Sequence, residues 1–102
     1  MDNNVKQTNY GYEITWADTD SYCSKILVFE TANKKLPLHF HKEISKSWFV
    51  NAGKFRVQWV DTTTAKTYAQ DLSEGNVFHV PALMPVTLEA LVNNSAMAET
   101  SN

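Results

Sequence analysis

Cysteine is nearly absent from the chain, because Cys23 is the single one in 102 residues. An internal disulfide needs two thiols and a thiolate metal cluster needs several, so the sequence excludes both. A lone cysteine also fits a reducing compartment. We therefore expect the protein to be cytoplasmic.

Long apolar runs and runs of like charge are missing as well. No stretch approaches the ~18 apolar residues of a membrane span, and the polar residues 1–9 lack the apolar part of a signal peptide. The formal net charge is only −2, and basic residues are scattered among acidic ones. We therefore expect no signal-directed export and neither a membrane nor a nucleic acid as partner.

Helical periodicity is also missing. Apolar and polar residues instead alternate with a period of two, as in β-strands. The alternation and the turn residues predict about nine short strands joined by a few residues each, which indicates an all-β sandwich or barrel. The predicted strands cover 10–16, 22–30, a stretch ending near 41, 46–51, 54–61, 67–72, 76–80, 86–91 and 96–100. Length and even composition indicate one domain over residues 10–102, after a flexible segment of residues 1–9.

Two histidines, His39 and His41, lie two residues apart among apolar neighbours on the third predicted strand. Alternate side chains of a strand share a face, so both imidazoles point one way and Leu38 and Phe40 point the other. The apolar surroundings favour a pocket over bulk water. The sequence therefore predicts that the two imidazoles form the floor of a pocket.

The spacing around these histidines resembles the first motif of the cupin superfamily: glycine, five residues, His-x-His, glutamate, glycine. The corresponding residues here are Asn33, His39, His41, Lys46 and Gly53. Asparagine is a mild departure from the first glycine, since it readily takes the left-handed conformation. Lysine in place of glutamate is a severe one.

The second cupin motif, which runs from a glycine through a proline to a histidine and an asparagine, is matched in part. Gly75 and Pro81 agree, while Leu83, Val86 and Ala90 stand where a glycine, the histidine and the asparagine belong. Segments such as LHFHKE and LSEGNVFHVP are similar to compact single-domain cupins of the mannose-6-phosphate-isomerase-like and polysaccharide-biosynthesis type. The resemblance implies a jelly-roll barrel with space for one small ligand.

In metal-dependent cupins the ion is held by the histidines and glutamate of the first motif and the histidine of the second. The resemblance thus assigns two of the four ligand positions to Lys46 and Val86, and neither an ammonium nor an isopropyl group can ligate. We expect no cofactor and no tightly held metal; if an ion binds, His39 and His41 hold it. Glu43 is an alternative third ligand, although a loop position facing solvent fits it better.

Neutral imidazoles beside a partly buried lysine are expected to have lowered pKa values and can act as general bases near neutral pH. Metal-free sugar-nucleotide epimerases and ketoisomerases of the superfamily use pocket histidines to move a proton next to a carbonyl. By that resemblance His39 and His41 are the acid and base, and Lys46 holds an anion or stabilises an enolate. The alternative is a vestigial pocket whose imidazoles only form hydrogen bonds.

Two further residues have both a functional and a structural interpretation. Trp48 lies two residues after Lys46 and therefore on the same face of the strand. Its indole either stacks on a sugar ring or belongs to the core, together with Phe55, Val57 and Trp59. His79 either binds ligand or forms a hydrogen bond within its strand.

Leu38, Phe40 and Phe49 lie on the face opposite the pocket, and they form an exposed apolar patch unless the N-terminal strand covers them. Such a patch predicts a homodimer. Two hypotheses follow. The first is a small-molecule-binding cupin for a carbohydrate-like or other polar ligand, which, if it is an enzyme, is a metal-independent isomerase or epimerase. The second is a non-catalytic dimeric binding or scaffolding protein.

Overall fold

The computed structural model describes residues 4–102, and these form ten β-strands and no helix. The all-β prediction is confirmed. The strands are β1 (Val5–Gln7), β2 (Gly11–Asp18), β3 (Cys23–Phe29), β4 (Lys35–His39), β5 (Lys46–Ala52), β6 (Lys54–Asp61), β7 (Lys66–Ser73), β8 (Val77–Val80), β9 (Val86–Ala90) and β10 (Ser95–Ser101). No helix that could cross a membrane occurs in this part of the chain.

The strands form two antiparallel sheets. Sheet A has six strands in the order β1-β2-β3-β10-β5-β8, and sheet B has four in the order β4-β9-β6-β7. Neighbours in a sheet are often distant in the chain, as in a jelly roll. This order places β4 and β5, which carry the predicted site, in different sheets.

The N-terminal residues add one strand to the predicted set. Val5–Gln7 pairs with Tyr12 to Ile14 of β2 as the edge of sheet A. Residues 1–3, which belong to the predicted flexible segment, lie outside the described residues.

The apolar core fills the space between the inward faces of the two sheets. Phe55 and Val57 are fully buried and Trp59 packs against them, as predicted. The Phe29 ring stacks on Tyr10 at 4.2 Å and meets Phe55 edge-on at 5.2 Å between centroids. Such aromatic pairs stabilise a core by about 0.5–1.5 kcal/mol each beyond their burial.

Two positions where the motifs of cupins have glycine adopt left-handed backbone. Asn33 and Leu83 both have φ of 71°. The Leu83 amide donates a hydrogen bond of 2.7 Å to the carbonyl oxygen of His41, which ties the loop after β8 to the segment that follows β4. Asparagine tolerates this conformation, whereas leucine is strained in it.

We expect Leu83→Gly to raise the free energy of unfolding by about 0.5–1 kcal/mol. The left-handed conformation costs a leucine about 1–2 kcal/mol, and part of that gain is offset by the greater freedom of glycine in the unfolded chain. Because the Leu83 side chain is 57 % exposed, little packing is lost. Urea denaturation measures the change; a Leu83→Ala control equal to or more stable than Leu83→Gly would contradict the strain.

Candidate functional site

Lys46 lies at the centre of the candidate site. It is the first residue of β5 and points between the sheets, so that its side chain is only 8 % exposed. Its Nζ lies 3.2 Å from His39 Nε2 and 3.4 Å from Glu99 Oε1. It also lies 5.4 Å from the centre of the Trp48 ring. The ammonium therefore contacts an imidazole, a carboxylate and an indole face.

The hydrogen bonds of His39 determine where its ring proton lies. Leu36 and His39 both face inward although they lie three positions apart, because the register of β4 against β9 is irregular between them. His39 Nδ1 lies 2.8 Å from the Pro37 carbonyl oxygen. Because a carbonyl only accepts, Nδ1 donates the proton, and Nε2 accepts from the Lys46 ammonium. Both ring nitrogens of His39 are thus engaged in hydrogen bonds.

His41 lies beyond the end of β4 but still next to His39, with 5.5 Å between ring centroids and an interplanar angle of 75°. Partial desolvation, followed by the positive charge of Lys46 and by His39, lowers its pKa. No hydrogen bond to its ring forms within residues 4–102. His41 is therefore the imidazole that remains open to a ligand.

The lowered pKa of His41 predicts the direction of its titration. An unfolded chain protonates a histidine near pH 6.5, so the contribution of His41 to stability is present above that pH and is lost as the pH falls below it. We expect the NMR titration midpoint of the His41 ring to lie below 6.5 and to rise in Lys46→Met, where the nearby positive charge is gone. Lys54→Met, at an exposed position of β6, is the control. A midpoint that does not respond to Lys46→Met would contradict the electrostatic cause.

Glu99 completes the site, and it is a residue that the sequence interpretation missed. Its Oε1 accepts a 2.9 Å hydrogen bond from Trp48 Nε1 as well as the contact from Lys46. Alternation along β10 could have pointed to Glu99: Met97 is buried, and Glu99, two residues later, lies on the same face of the strand. Trp48 itself is 0 % exposed and packs on Phe78, so it lies in the core, as the structural interpretation of the sequence had it.

A second ion pair extends the charged part of the barrel interior. Lys25 lies directly across from Glu99 in the register of β3 and β10, and its Nζ contacts Glu13 Oε1 at 3.4 Å. The Tyr10 hydroxyl donates to the other oxygen of Glu13, and burial followed by the Glu13 charge raises the pKa of Tyr10. Two lysines and two glutamates therefore balance. We call these four residues the interior ion network.

A cleft of about 270 Å³ opens beside this network. Charged groups and His41 line it together with small polar side chains. Its lining consists of Cys23, Lys25, His41, Ile44, Lys46, Glu99, Ser101 and Asn102. The cleft has room for one small molecule and offers it hydrogen-bonding groups of both charges.

The two remaining candidates, His79 and Glu43, lie elsewhere. His79 pairs with Ser47 on the outward face of sheet A, where its Nδ1 is 2.7 Å from Ser47 Oγ. It borders a larger, open cleft of about 540 Å³, which Lys46, Ser101 and Asn102 also line. Glu43 is exposed in the loop between β4 and β5. The structure therefore brings together His39, His41 and Lys46, and leaves His79 and Glu43 outside the barrel.

The residues present do not fit the metal ion of metal-dependent cupins. Val86, at the position of the fourth ligand, pairs directly across from His39 and is buried, but it has no donor atom. The lone pair of His39 Nε2 is directed at an ammonium. Residues 4–102 contain no group of three or more histidine, cysteine, aspartate or glutamate side chains placed to hold an ion. The site therefore lacks a complete set of ligands for such an ion.

Solved structures with the same architecture include one chain of similar length and two longer ones. KdgF from Halomonas sp. is 19 % identical, with a TM-score of 0.78, over 88 % of this chain and 76 % of its own. A variant of oxalate decarboxylase from Bacillus subtilis is 19 % identical, with a TM-score of 0.82, over 96 % of this chain and 26 % of its own. CapF, solved with the inhibitor 3-isopropenyl-tropolone, is 14 % identical, with a TM-score of 0.85, over 96 % of this chain and 30 % of its own.

The chain spans only about a quarter to a third of the last two proteins, and at these identities all three show the fold alone. No curated protein matches the sequence. Residues 17–101, however, match the family Cupin_1, described as "Cupin". That match covers most of the chain and agrees with the two antiparallel sheets, and the chain therefore belongs to the cupin family.

Proposed function

We propose that the protein binds one small polar, carbohydrate-like molecule in the cleft beside His41, without a tightly held metal. The observation that carries the proposal is the position of the Lys46 ammonium. It contacts His39 Nε2 and Glu99 in the part of the barrel where other cupins hold a cation. A fixed positive charge next to an open imidazole suits a ligand with a carbonyl, a carboxylate or several hydroxyl groups.

The same arrangement suits proton transfer next to a carbonyl. His41, kept neutral by its lowered pKa, takes a proton from the carbon beside the carbonyl of the ligand. The electron pair of that C–H bond moves toward the carbonyl oxygen and forms an enolate, which the Lys46 ammonium stabilises. Isomerisation of a sugar also moves the proton of the neighbouring hydroxyl group to the enolate oxygen, and His41 then returns its proton to the former carbonyl carbon. In epimerisation a water in the open cleft gives a proton to the opposite face of the original carbon, and His41 releases its proton to solvent. His39 positions Lys46 in this scheme.

The alternative function is a non-catalytic binding or scaffolding protein, and a specific observation favours it. The interior ion network is internally paired, and within residues 4–102 no buried side-chain nitrogen or oxygen lacks a hydrogen-bond partner. Such a network can persist for structural reasons after a ligand site has been lost.

The remaining sequence expectations concern the cellular compartment and the kind of partner. Cys23 is a free, half-buried thiol, which suits a reducing cytoplasm. The balanced charges of the network and of the whole chain favour a small molecule as ligand over a nucleic acid.

A thermal-shift screen of uronates and sugar nucleotides tests the proposal. A ligand at 100 times its Kd stabilises the folded state by about 2.7 kcal/mol, which corresponds to a shift of several degrees for a domain of this size. We expect the shift to disappear in His41→Ala and to persist in Glu43→Ala, a control at an exposed loop position. A shift retained in His41→Ala would contradict the assigned cleft, and the absence of any shift would favour the non-catalytic function.

A further inference from the structure

The open cleft that His79 borders lies directly beside the cleft next to His41. We call the first the outer cleft and the second the inner cleft. Both are lined by Lys46, Ser101 and Asn102. The inner cleft, of about 270 Å³, is slightly smaller than the roughly 300–1,000 Å³ of common ligand pockets, and the outer cleft, of about 540 Å³, lies within that range. A ligand larger than the inner cleft therefore has space to continue into the outer one.

The boundary between the two clefts is held by hydrogen bonds. Asn102 Oδ1 accepts a bond of 2.9 Å from the Ser45 amide, and the Asn102 amide donates one of 3.3 Å to the Ser45 carbonyl oxygen. Ser101 pairs with Lys46 in the register of β10 and β5. The end of β10 is thus tied to the loop after β4, to which His41 belongs. A ligand that occupies both clefts meets surfaces that need little rearrangement.

The outer cleft has the chemistry of a site for hydroxyl groups. Six of its lining side chains carry a hydroxyl, which both donates and accepts hydrogen bonds. They are Ser21, Tyr22, Ser45, Ser47, Thr100 and Ser101. Within residues 4–102 its lining includes no aspartate, glutamate or arginine, and its one lysine is already paired with Glu99. A sugar ring with several hydroxyl groups fits this lining better than a diphosphate, which needs free cationic groups.

Tyr22 adds an exposed aromatic ring to the outer cleft. Its side chain is 47 % exposed. The Thr19 hydroxyl accepts hydrogen bonds from the amides of Ser21 and Tyr22, at 3.2 and 3.1 Å, and the Thr19 amide donates one of 2.9 Å to the Tyr22 carbonyl oxygen. The turn between β2 and β3 thus holds the Tyr22 backbone without using its ring. An aromatic ring beside hydrogen-bonding groups suits a sugar, which has an apolar face and a polar edge.

Ser47 and His79 supply polar groups on the outward face of sheet A. Ser47 Oγ lies 2.7 Å from His79 Nδ1, and this contact orients the imidazole. No hydrogen bond to His79 Nε2 forms within the described part of the chain, residues 4–102. Thr100 lies across from Ser47 on the other neighbouring strand, and its hydroxyl is 3.1 Å from that of Ser24. The second nitrogen of His79 is therefore left for a ligand.

From these features we propose that the ligand is an oligosaccharide of at least two sugar units, with its reducing-end unit in the inner cleft and the next unit in the outer cleft. Only the reducing end of such a chain opens to a free carbonyl, and proton transfer by His41 needs that carbonyl beside Lys46. The second unit packs its apolar face on Tyr22 and forms hydrogen bonds with His79. The inference rests on the proposed function, because the first unit occupies the cleft assigned there.

Isothermal titration calorimetry of the full chain with matched sugars tests the inference. The probes are glucose, mannose, galacturonate and mannuronate, each compared with its own disaccharide. In the series that binds, we expect the disaccharide to bind at least about 10-fold more tightly than the monosaccharide, because the second unit adds contacts in the outer cleft.

Two variants assign this gain to the outer cleft. Tyr22→Ala keeps the backbone hydrogen bonds of its turn, and we expect it to bring the ratio of the two dissociation constants to about one. His79→Ala should lower the ratio about 3-fold. The matched control is Tyr68→Ala, because Tyr68 is 44 % exposed on β7 and does not line the outer cleft. The ratio should not change in the control, and circular dichroism checks that all three variants fold.

The outcomes separate this inference from the proposed function. Equal affinity for monosaccharide and disaccharide, or a gain that persists in both Tyr22→Ala and His79→Ala, would overturn the inference and leave the proposed function standing. A larger gain for a sugar nucleotide than for any disaccharide, lost in Tyr22→Ala, would assign the outer cleft to a nucleotide and overturn it as well. Disaccharide binding that survives His41→Ala would contradict the inner cleft and with it the proposed function. Failure of every sugar to bind would contradict both.

Discussion

Replacing Glu99 by leucine should lower the free energy of unfolding by about 3–5 kcal/mol, because one partner of a buried ion pair is removed. The Lys46 and Glu99 side chains are only 8 % and 12 % exposed, so the remaining ammonium cannot recover its hydration. The Trp48 indole N–H loses its acceptor at the same time. Urea denaturation, followed by tryptophan fluorescence and circular dichroism, measures the loss.

Two comparisons separate this effect from a simple loss of packing. In Lys46→Met/Glu99→Leu no ammonium is left unpaired, and we expect the double variant to be at least about 2 kcal/mol more stable than the sum of the single changes. Asp71→Leu breaks the exposed pair with Arg56 and should cost far less, because water solvates both charges. If the two interior changes were additive, the ion pair would not be the cause.

The second large effect is a gain of metal binding in Lys46→Glu/Val86→His. The change supplies a carboxylate and an imidazole at the two positions that cannot ligate, and it frees Nε2 of His39. The Pro37 carbonyl already accepts from His39 Nδ1, the arrangement that orients a histidine ligand toward a metal. We expect the dissociation constant for Mn²⁺ or Zn²⁺ to fall at least about 100-fold relative to the unchanged protein.

Isothermal titration calorimetry measures this gain. Lys46→Met/Val86→Leu frees the same histidine without adding a ligand, and it should bind no more tightly than the unchanged protein. Equal affinity in both double variants would show that Lys46 and Val86 do not occupy ligand positions.

The strands were predictable because alternation directly reflects burial on one face. β6 has the predicted bounds, and the eight other predicted strands differ from the observed ones by a few residues at their ends. β1 was missed because Val5–Gln7 is short and polar, so that only its pairing with β2 makes it a strand. Pairing of this kind depends on tertiary structure and leaves no local pattern.

The candidate site was predictable only where its residues lie close together in the chain. Spacing brought His39, His41 and Lys46 to attention, but Glu99 is 53 positions after Lys46 in the sequence and joins it through the pairing of β5 with β10. Parity along β8 could not decide where His79 faces until its register against Ser47 was known. Parity likewise gave the facing of Leu38 and Phe49 without showing that they belong to different sheets.

The most direct test of the account is the metal content of protein purified without a metal-affinity tag and without chelator. Because an ammonium contacts His39 Nε2 and a valine faces it, we expect elemental analysis to find less than about 0.1 transition-metal ion per chain. One ion per chain, lost in His39→Ala and His41→Ala, would contradict the proposed metal-independent chemistry.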